Sequence, residues 1–303
     1  MRTPLLFLLP IAASVFAADA PPKITHSFFQ AGSETQIVSG DGTVIWKYPA
    51  ATRDGFVLPN GHVLLAISKN KDYPGGAVLE VTRDHQIVWE FKGTQSEVNT
   101  AQALPNGHIM LTEAGAQPRL LEVDRTGKIV VEVPLQTQTA NPHMESRMAR
   151  KLANGNYLVP QLLDKVVREY APDGRIVWEW KAPAEPKEAW PFTAIRLPDG
   201  HTLITLTKGH LCVEVDAAGA IVWQLTNDDL PTPLLKDPCG AQRLPNGHTV
   251  ITSYNAGEQA VKLLEVTRDK QLVWTYERAK NGGIHEFQIL DTNGVPLEGA
   301  PMK

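Results

Sequence analysis

Eight side chains of this sequence could together hold and act on a small polar or anionic ligand. A histidine can serve as a nucleophile or a base, and arginines can clamp an anion through paired hydrogen bonds. The set, in chain order, is Arg53, Asp54, Asn99, His143, Arg147, Phe192, His285 and Glu286. Apart from His143, all of these residues stand four or five positions before a recurring leucine, but their types differ from copy to copy. Variation at a repeated position is typical of a ligand site on a regular scaffold.

That recurring leucine belongs to a repeat of about 46 residues, a period typical of an array of one supersecondary unit. The phrase Leu-Pro-Asn-Gly-His begins at Leu58, Leu104 and Leu244, and variants begin at Leu152 and Leu197. A second phrase, Ile-Val-Trp or a close variant, alternates with the first and follows an Asp-Gly or related turn. The alternation gives six copies.

Each copy predicts four antiparallel strands. Apolar and polar residues alternate over short β-branched runs, and these runs are broken by Asn-Gly and Asp-Gly turns. Four-stranded antiparallel units repeated radially form a β-propeller, which hides its sheet edges by closing into a ring. A solenoid could share this period, but it would need polar capping repeats at both ends. The sequence therefore predicts an all-β, six-bladed propeller.

The two ends of the chain predict how the ring closes. The segment His26-Ser27-Phe28-Phe29 aligns with the strand that follows the Asn-Gly turn, and residues 284–290 align with the strand that precedes it. We therefore expect one C-terminal strand to join three N-terminal strands in the last blade. Residues 21–303 would form a single domain.

Residues 1–20 have the features of a secretory signal peptide. Arg2 precedes an apolar run over residues 5–16, and small residues follow, so cleavage is expected after Ala17 or Ala20. No second hydrophobic stretch predicts a membrane span. We expect the mature protein to be periplasmic or secreted.

Composition narrows the possible partners. The formal net charge is −4, and basic residues are scattered among acidic ones, so nucleic acid is not an expected partner. Cys212 and Cys239 are the two cysteines, too few for a disulfide-built scaffold. They could pair with each other or remain buried thiols.

Residues that recur in every blade are expected to serve the scaffold. This applies to the histidines that follow the glycine turn, which are His62, His108, His201 and His248. It also applies to a recurring glutamate, which stands nine positions before the tryptophan, or in one copy the valine, that ends the Ile-Val-Trp phrase. These glutamates are Glu80, Glu122, Glu169, Glu214 and Glu265. We expect these groups to hydrogen-bond within or between blades, and we expect neither a metal site nor a cofactor.

The site is expected on the face that carries the variable loops, because the stereotyped turns occupy the opposite face. These loops span residues 68–76, 94–99, 135–150, 183–191 and 227–240. The innermost strand of each blade enters from this variable-loop face, so the residues four and five positions before the leucine should crowd the mouth of the channel. The longest loop adds Asn141, His143, Glu145 and Arg150.

The alternating phrases resemble those of exported propellers. Asp173-Gly174-Arg175-Ile176-Val177-Trp178 resembles the tryptophan-docking repeats of pyrroloquinoline-quinone-type propellers, and the Asn-Gly-His turns with His285-Glu286-Phe287 are more similar to bacterial arylsulfate sulfotransferases. The latter resemblance implies a channel histidine that accepts sulfate and arginines that clamp the anion. Only His285 matches such a histidine. The sequence has too few blades for the quinone enzymes and lacks the sulfotransferases' extra N-terminal domain.

Three functions are compatible with these features. The leading hypothesis is a binding or interaction module for a small polar or anionic ligand, or for a protein partner, with an aromatic patch around Tyr73, Trp190 and Phe192. The alternative is a sulfotransferase-like enzyme in which His285 is the nucleophile, Arg147 and Arg53 stabilise the anion, and Glu286 orients the imidazole. A third is a polysaccharide-acting enzyme with Asp54 and Glu286 as an acid/base pair.

Overall fold

The computed structural model describes residues 23–280 and 282–303, and the expected signal peptide lies outside them. The first strands are β1 (His26–Gly32), β2 (Thr35–Val38) and β3 (Val44–Tyr48). Blade 1 contains β4 (Thr52–Val57), β5 (Val63–Ile67), β6 (Ala77–Val81) and β7 (Ile87–Lys92). Blade 2 contains β8 (Glu97–Ala103), β9 (Ile109–Ala114), β10 (Arg119–Val123) and β11 (Ile129–Pro134).

Blades 3 to 5 repeat this plan. Blade 3 contains β12 (Arg150–Lys151), β13 (Tyr157–Gln161), β14 (Val166–Tyr170) and β15 (Ile176–Lys181). Blade 4 contains β16 (Trp190–Arg196), β17 (Thr202–Thr207), β18 (Leu211–Val215) and β19 (Ile221–Leu225). Blade 5 contains β20 (Ala241–Arg243), β21 (Thr249–Thr252), β22 (Ala260–Val266) and β23 (Leu272–Arg278). Two short 3-10 helices, Pro142–Met144 and Asn227–Asp229, lie in the loops.

The closing blade joins the two ends of the chain. Strands β24 (Ile284–Thr292) and β25 (Val295–Pro296) extend β1–β3 into a five-stranded sheet. Phe28 pairs with Ile289 and Phe29 with Gln288 in the antiparallel register of β1 and β24. The predicted six-bladed ring and its closure are confirmed. The added strand β25 was not predicted, although Asn293-Gly294 is a strong hairpin signal.

The Asn-Gly turn forms because its middle glycine adopts a left-handed conformation. Gly61 has φ of 84°, a region that favours glycine, and its amide donates to the carbonyl of Leu58 at 2.9 Å. The side chain of Asn60 accepts from the amide of His62 at 3.0 Å. The turn then delivers the chain into β5 with its apolar residues buried.

Packing between blades shows that the ring is closed. The described residues form six apolar clusters that each combine two adjacent blades, whereas an open row of six blades would have five such interfaces. Phe28 and Phe29 point to opposite sides of β1, so Phe28 fills the interface with blade 5 and Phe29 fills the interface with blade 1. Burial of each of these phenylalanine side chains stabilises the folded state by about 2 kcal/mol.

The recurrent polar residues hold the scaffold together, as predicted. Each turn histidine lies beside the glutamate of its own blade, with nitrogen–oxygen distances of 2.8 Å for His62–Glu80, 2.9 Å for His201–Glu214 and 2.7 Å for His248–Glu265. The same glutamates reach neighbouring blades, as Glu80 does through Arg125. The indole of Trp46 donates to the carbonyl of Arg83 in the next blade at 2.9 Å.

Candidate ligand-binding site

The innermost strands and the segments that lead into them bring two layers of side chains to the central channel. We call the residues five positions before the recurring leucine the upper tier, and those four positions before it the lower tier. The upper tier contains Arg53, Asn99, Arg147, Phe192, Cys239 and His285. The lower tier contains Asp54, Thr100, Met148, Thr193, Gly240 and Glu286. The upper tier is the one nearer the variable-loop face.

β-Bulges explain how consecutive residues reach the same channel. In β4, Thr52 pairs with Ile67 and Asp54 with Ala66, so Arg53 is an extra residue without a register partner. Asn99 and His285 are skipped in the same way in β8 and β24. A regular strand would send neighbouring side chains to opposite faces, whereas a bulge redirects the extra one. The sequence predicted the positions but not the bulges.

The long connection between β11 and β12 positions His143 and Arg147. Asn141 caps the 3-10 helix by accepting from the amide of His143 at 3.2 Å. The amide of Arg147 donates to the carbonyl of Pro160 at 3.2 Å, which holds the loop against blade 3. Met148 then adopts a positive φ of 32°, and the chain enters β12.

A cavity of about 220 Å³ opens at the channel mouth. Its walls include Arg147, Phe192, Cys239 and His285 from the upper tier, with Tyr254 from the loop after β21. The imidazole of His285 stacks on Tyr254 with ring centroids 4.7 Å apart and lies parallel to Phe192 at 6.0 Å. The cavity therefore combines aromatic rings with a guanidinium group, and Cζ of Arg147 lies 5.9 Å from the centroid of the Phe192 ring.

Arg147 contributes a positive charge to the wall of the cavity. Its side chain is 2% exposed, and its guanidinium donates to the carbonyls of Ser146, at 3.0 Å, and His143. Within residues 23–280 and 282–303 no carboxylate lies within ion-pair distance of it, and its Nε has no hydrogen-bond partner. Burial, followed by the nearby charge of Arg53, lowers the pKa of Arg147 to about 9.

Arg53 lies beside the cavity and is neutralised by a carboxylate. Its guanidinium is 2.9 Å from Glu97, which also contacts Lys69 at 3.2 Å and His143 at 3.3 Å. Burial alone would raise the pKa of Glu97, but the hydrogen bond from His143 and the charge of Arg53 outweigh it and lower the pKa to about 2. Glu97 is therefore ionised and pairs with Arg53, whereas no carboxylate of the described residues pairs with Arg147. The charge of Glu97 raises the pKa of Arg147 by less than burial and Arg53 lower it.

The His285 imidazole is neutral at physiological pH. Burial first, and then the charges of Arg147 and Arg53, lower its pKa to about 3. Its Nδ1 is buried without a hydrogen-bond partner in the described structure. A neutral ring can accept or donate one hydrogen bond to a ligand.

Two further polar groups on the walls of the cavity are already engaged. Lys208 contacts Asp237 at 2.8 Å, and His210 lies 3.3 Å from the same carboxylate. Burial raises the pKa of the Cys239 thiol, which keeps it protonated. Cys212 and Cys239 are both free, buried thiols.

The lower tier forms a buried ionic cluster beneath the cavity. Asp54 accepts from Arg150 at 2.8 and 3.1 Å, and from Thr100 at 3.2 Å. Glu286 accepts from Thr193 at 3.3 Å and lies 3.8 Å from Arg150. In the described part of the chain no hydrogen bond joins Glu286 to His285. Both carboxylates are fully buried around one guanidinium rather than facing each other across a cleft.

The structure thus brings Arg147, His143, Phe192 and His285 to one cavity and places Arg53 beside it. Asn99 is fully buried, and its amide has no partner among the described atoms. Tyr73 lies elsewhere, with its hydroxyl on Glu90 at 2.7 Å, so it does not share a patch with Trp190 and Phe192.

Sequence reasoning missed Tyr254, Lys208 and Lys303. Tyr254 and Lys208 lie in short connections of blades 5 and 4 that carry no repeated phrase. Lys303 reaches the lower tier from the opposite end of the channel. No local pattern marks any of the three.

A group with metal-ligating spacing lies on the turn face, where atoms of Asp199, His201 and Glu214 lie within 4.8 Å of one another. Glu214 also accepts from Arg243 at 2.8 Å and from Arg268. Two guanidinium groups on the same carboxylate oppose a bound cation. We therefore assign this group to the scaffold.

The fold and the channel define a six-bladed β-propeller with a cavity on its variable-loop face. Residues 69–227, just over half of the chain, match the family described as Mal s 1 allergenic protein-like. The chain belongs to this family. No curated protein matches the sequence. No helix in the described part of the chain is long and apolar enough to cross a membrane.

Several solved structures share the architecture. A protein of unknown function from Bacteroides caccae is 23% identical, with a TM-score of 0.76, and the match covers 91% of this chain and 100% of that one. Virginiamycin B lyase from Staphylococcus aureus is 16% identical, with a TM-score of 0.55, over 74% of this chain and 69% of that one. A streptogramin B lyase is 14% identical, with a TM-score of 0.61, over 88% of both chains. At these identities the likeness shows the fold alone.

Proposed function

We propose that this propeller binds a small organic anion with a flat apolar body in the cavity of its variable-loop face. The observation that carries the proposal is the buried guanidinium of Arg147, which has no carboxylate partner among the described residues. A buried charge without a counter-ion is costly, and an anionic ligand would supply the missing charge. The aromatic wall formed by Phe192, Tyr254 and Trp190 suits the apolar body.

Partnerless buried atoms support the same proposal. Every polar upper-tier residue other than Cys239 contributes at least one: Arg53 Nε, the Asn99 amide, Arg147 Nε and His285 Nδ1. Buried polar atoms in native proteins nearly always have a partner. Partnerless atoms also occur elsewhere in the described structure, Asp237 Oδ1 on the cavity wall included, but these four residues lie together around the channel. That grouping favours a polar ligand or ordered water there. The remaining cavity groups, Lys208 and Asp237, neutralise each other.

Calorimetric titration with benzoate, with benzyl alcohol as the uncharged analogue, tests this proposal. We expect wild type to bind benzoate and to bind benzyl alcohol far more weakly. Arg147→Gln should weaken benzoate binding by about 10- to 100-fold, the value of a charge-assisted hydrogen bond. Arg175→Gln, at an exposed arginine paired with Asp173, is the matched control and should bind as wild type does. Equal benzoate affinity in wild type and Arg147→Gln would refute the proposal.

Group transfer is the second candidate, because the partnerless Nδ1 of His285 and the guanidinium of Arg147 lie in the same cavity. In this scheme the neutral imidazole attacks the sulfur of an aryl sulfate, and the phenolate leaves and takes up a proton from solvent. The sulfuryl group then passes from the imidazole to an acceptor phenol, whose proton is released to solvent. Glu286 makes its contacts in the lower tier and would not orient the ring. Turnover by wild type that His285→Ala abolishes would support the scheme, and no turnover by wild type would reject it.

We also propose that the protein is exported and that residues 1–20 are removed as a signal peptide. The basic residue, apolar run and small residues at the N-terminus support this. Intact-mass analysis of the protein from the extracytoplasmic fraction should show a chain starting after Ala17 or Ala20. Recovery of the full-length chain from the cytoplasm would contradict export.

A further inference from the structure

The last residues of the chain cross the turn face and enter the central channel. We call residues 297–303 the tail. The amide of Leu297 donates to the carbonyl of Leu290 at 2.9 Å, and the carbonyl of Met302 accepts from the amide of Arg243 at 3.0 Å. The side chain of Arg150 donates to the carbonyl of Lys303 at 2.8 Å. These few bonds fix the end of the tail beneath the lower tier.

The ammonium group of Lys303 contacts three consecutive residues of β4. It donates to the carbonyl of Gly55 at 2.8 Å, lies 3.5 Å from the carboxylate of Asp54, and sits 3.9 Å from the centroid of the Phe56 ring. The Lys303 side chain is completely buried. A carboxylate, a carbonyl and an aromatic face are the groups that proteins use to bind a desolvated ammonium ion.

Burial lowers the pKa of the Lys303 ammonium group, and the charges of Asp54 and Glu286 oppose that effect. Burial raises the pKa of Asp54, but Arg150 and Lys303 outweigh this effect and hold the pKa below its usual value. Burial raises the pKa of Glu286, which shares the same two cations. Removing the ammonium group would leave two buried carboxyl groups beside Arg150 alone.

A cavity of about 720 Å³ on the turn face lies beside this point, and Phe56, whose ring contacts the Lys303 ammonium group, is part of its lining. The inner strand ends of blades 1, 2 and 5 and the closing blade form one part of its lining, including Phe56, Gln102, Gln242 and Gln288. The tail forms the other part. A ligand could therefore reach the Lys303 position when the tail moves, without passing through the variable-loop face.

We propose that the lower channel is a binding site for a small primary alkylamine, and that Lys303 of the tail occupies this site as an internal ligand. The alkylammonium group would take the place of the Lys303 ammonium against Asp54, Gly55 and Phe56. Its apolar stem would follow the path of the lysine side chain into the turn-face cavity. This site is separate from the anion site and does not depend on it.

Chemical rescue of the full-length Lys303→Ala variant tests the proposal. n-Butylammonium chloride should raise the melting temperature of Lys303→Ala, whereas n-butanol and tetramethylammonium chloride at the same concentration should not. Wild type should gain no comparable stability, because its own lysine holds the site. The double variant Lys303→Ala/Asp54→Asn should bind n-butylammonium at least about tenfold more weakly than Lys303→Ala, since a charged hydrogen bond is lost.

The proposal fails if folded Lys303→Ala responds to n-butylammonium no more than to the two controls, or if wild type responds equally. If Lys303→Ala does not fold alone, refolding supplies the test. n-Butylammonium should then restore the yield of folded protein, and the same yield with n-butanol would overturn the proposal.

Discussion

At the scale of single residues, the position of a histidine within its blade distinguishes the recurrent turn histidines from His285. His62, His201 and His248 each lie against a glutamate of the same blade, and so they are structural despite their number. His285 has no such partner and stacks on Tyr254 beside Arg147. The same residue type therefore lies in two different environments, a glutamate contact on the turn face and an aromatic wall at the mouth of the channel.

The depressed pKa of His285 predicts an effect on stability. Its pKa is about 3 in the folded chain and near 6.5 in the unfolded chain, so the unfolded state binds the proton first. The free energy of unfolding should therefore fall as pH drops from about 6.5 towards 3. The groups around the ring are Arg147, Arg53, His143, Phe192 and Tyr254.

His285→Asn removes this titration. Between pH 7 and pH 4.5 wild type should lose about 2–3 kcal/mol of stability more than His285→Asn does. Urea denaturation of both proteins at the two pH values measures the difference. Parallel stability profiles would show that the imidazole is not held neutral.

At the scale of elements, turns and bulges shape opposite ends of the blades. The Asn-Gly turns build identical ends on one face, whereas bulges in β4, β8 and β24 direct Arg53, Asn99 and His285 into the channel at the other. Buried glutamates then connect elements across blades. Glu265 of β22, for example, accepts from His248 at 2.7 Å and lies 2.8 Å from Nε2 of His26 in β1.

Replacement of Glu265 tests whether such links close the ring. Glu265→Ala should lower the free energy of unfolding by about 3 kcal/mol, because the buried imidazole of His26 and the partly exposed imidazole of His248 lose their shared partner. Glu277→Ala, at an exposed position of the adjacent strand β23, should change it by less than about 0.5 kcal/mol. Thermal denaturation of the two variants provides the comparison. Similar small effects would mean that apolar packing alone holds the closing blade.

The sequence predicted the features that depend on local chemistry. Turn residues and period-two alternation revealed six blades, and the matching end segments revealed the pairing of Phe28 with the strand around Phe287. The bulges were not predictable, because register depends on the partner strand. The tail was missed for a similar reason, since the burial of Lys303 depends on Asp54, which is 249 positions away in the chain.

At the scale of the whole molecule, the two ends of the central channel carry different charged groups. The chain has a net charge of −4, yet the mouth of the channel on the variable-loop face carries the guanidinium of Arg147, which has no carboxylate partner among the described residues. The opposite end holds an ammonium group against a carboxylate. Arg150 lies between the two, in the same strand region as Arg147, and contacts Asp54 and the tail. A closed ring is what brings residues that are far apart in the sequence to each position.

The central claim is that Arg147 and the aromatic wall form an anion site. The most direct measurement is an anomalous difference map from crystals soaked in 4-bromobenzoate. We expect a carboxylate within hydrogen-bonding distance of Arg147 Nε, with the bromine peak beside Phe192 and Tyr254. Bromine peaks confined to the outer surface, with no ligand at Arg147, would contradict it.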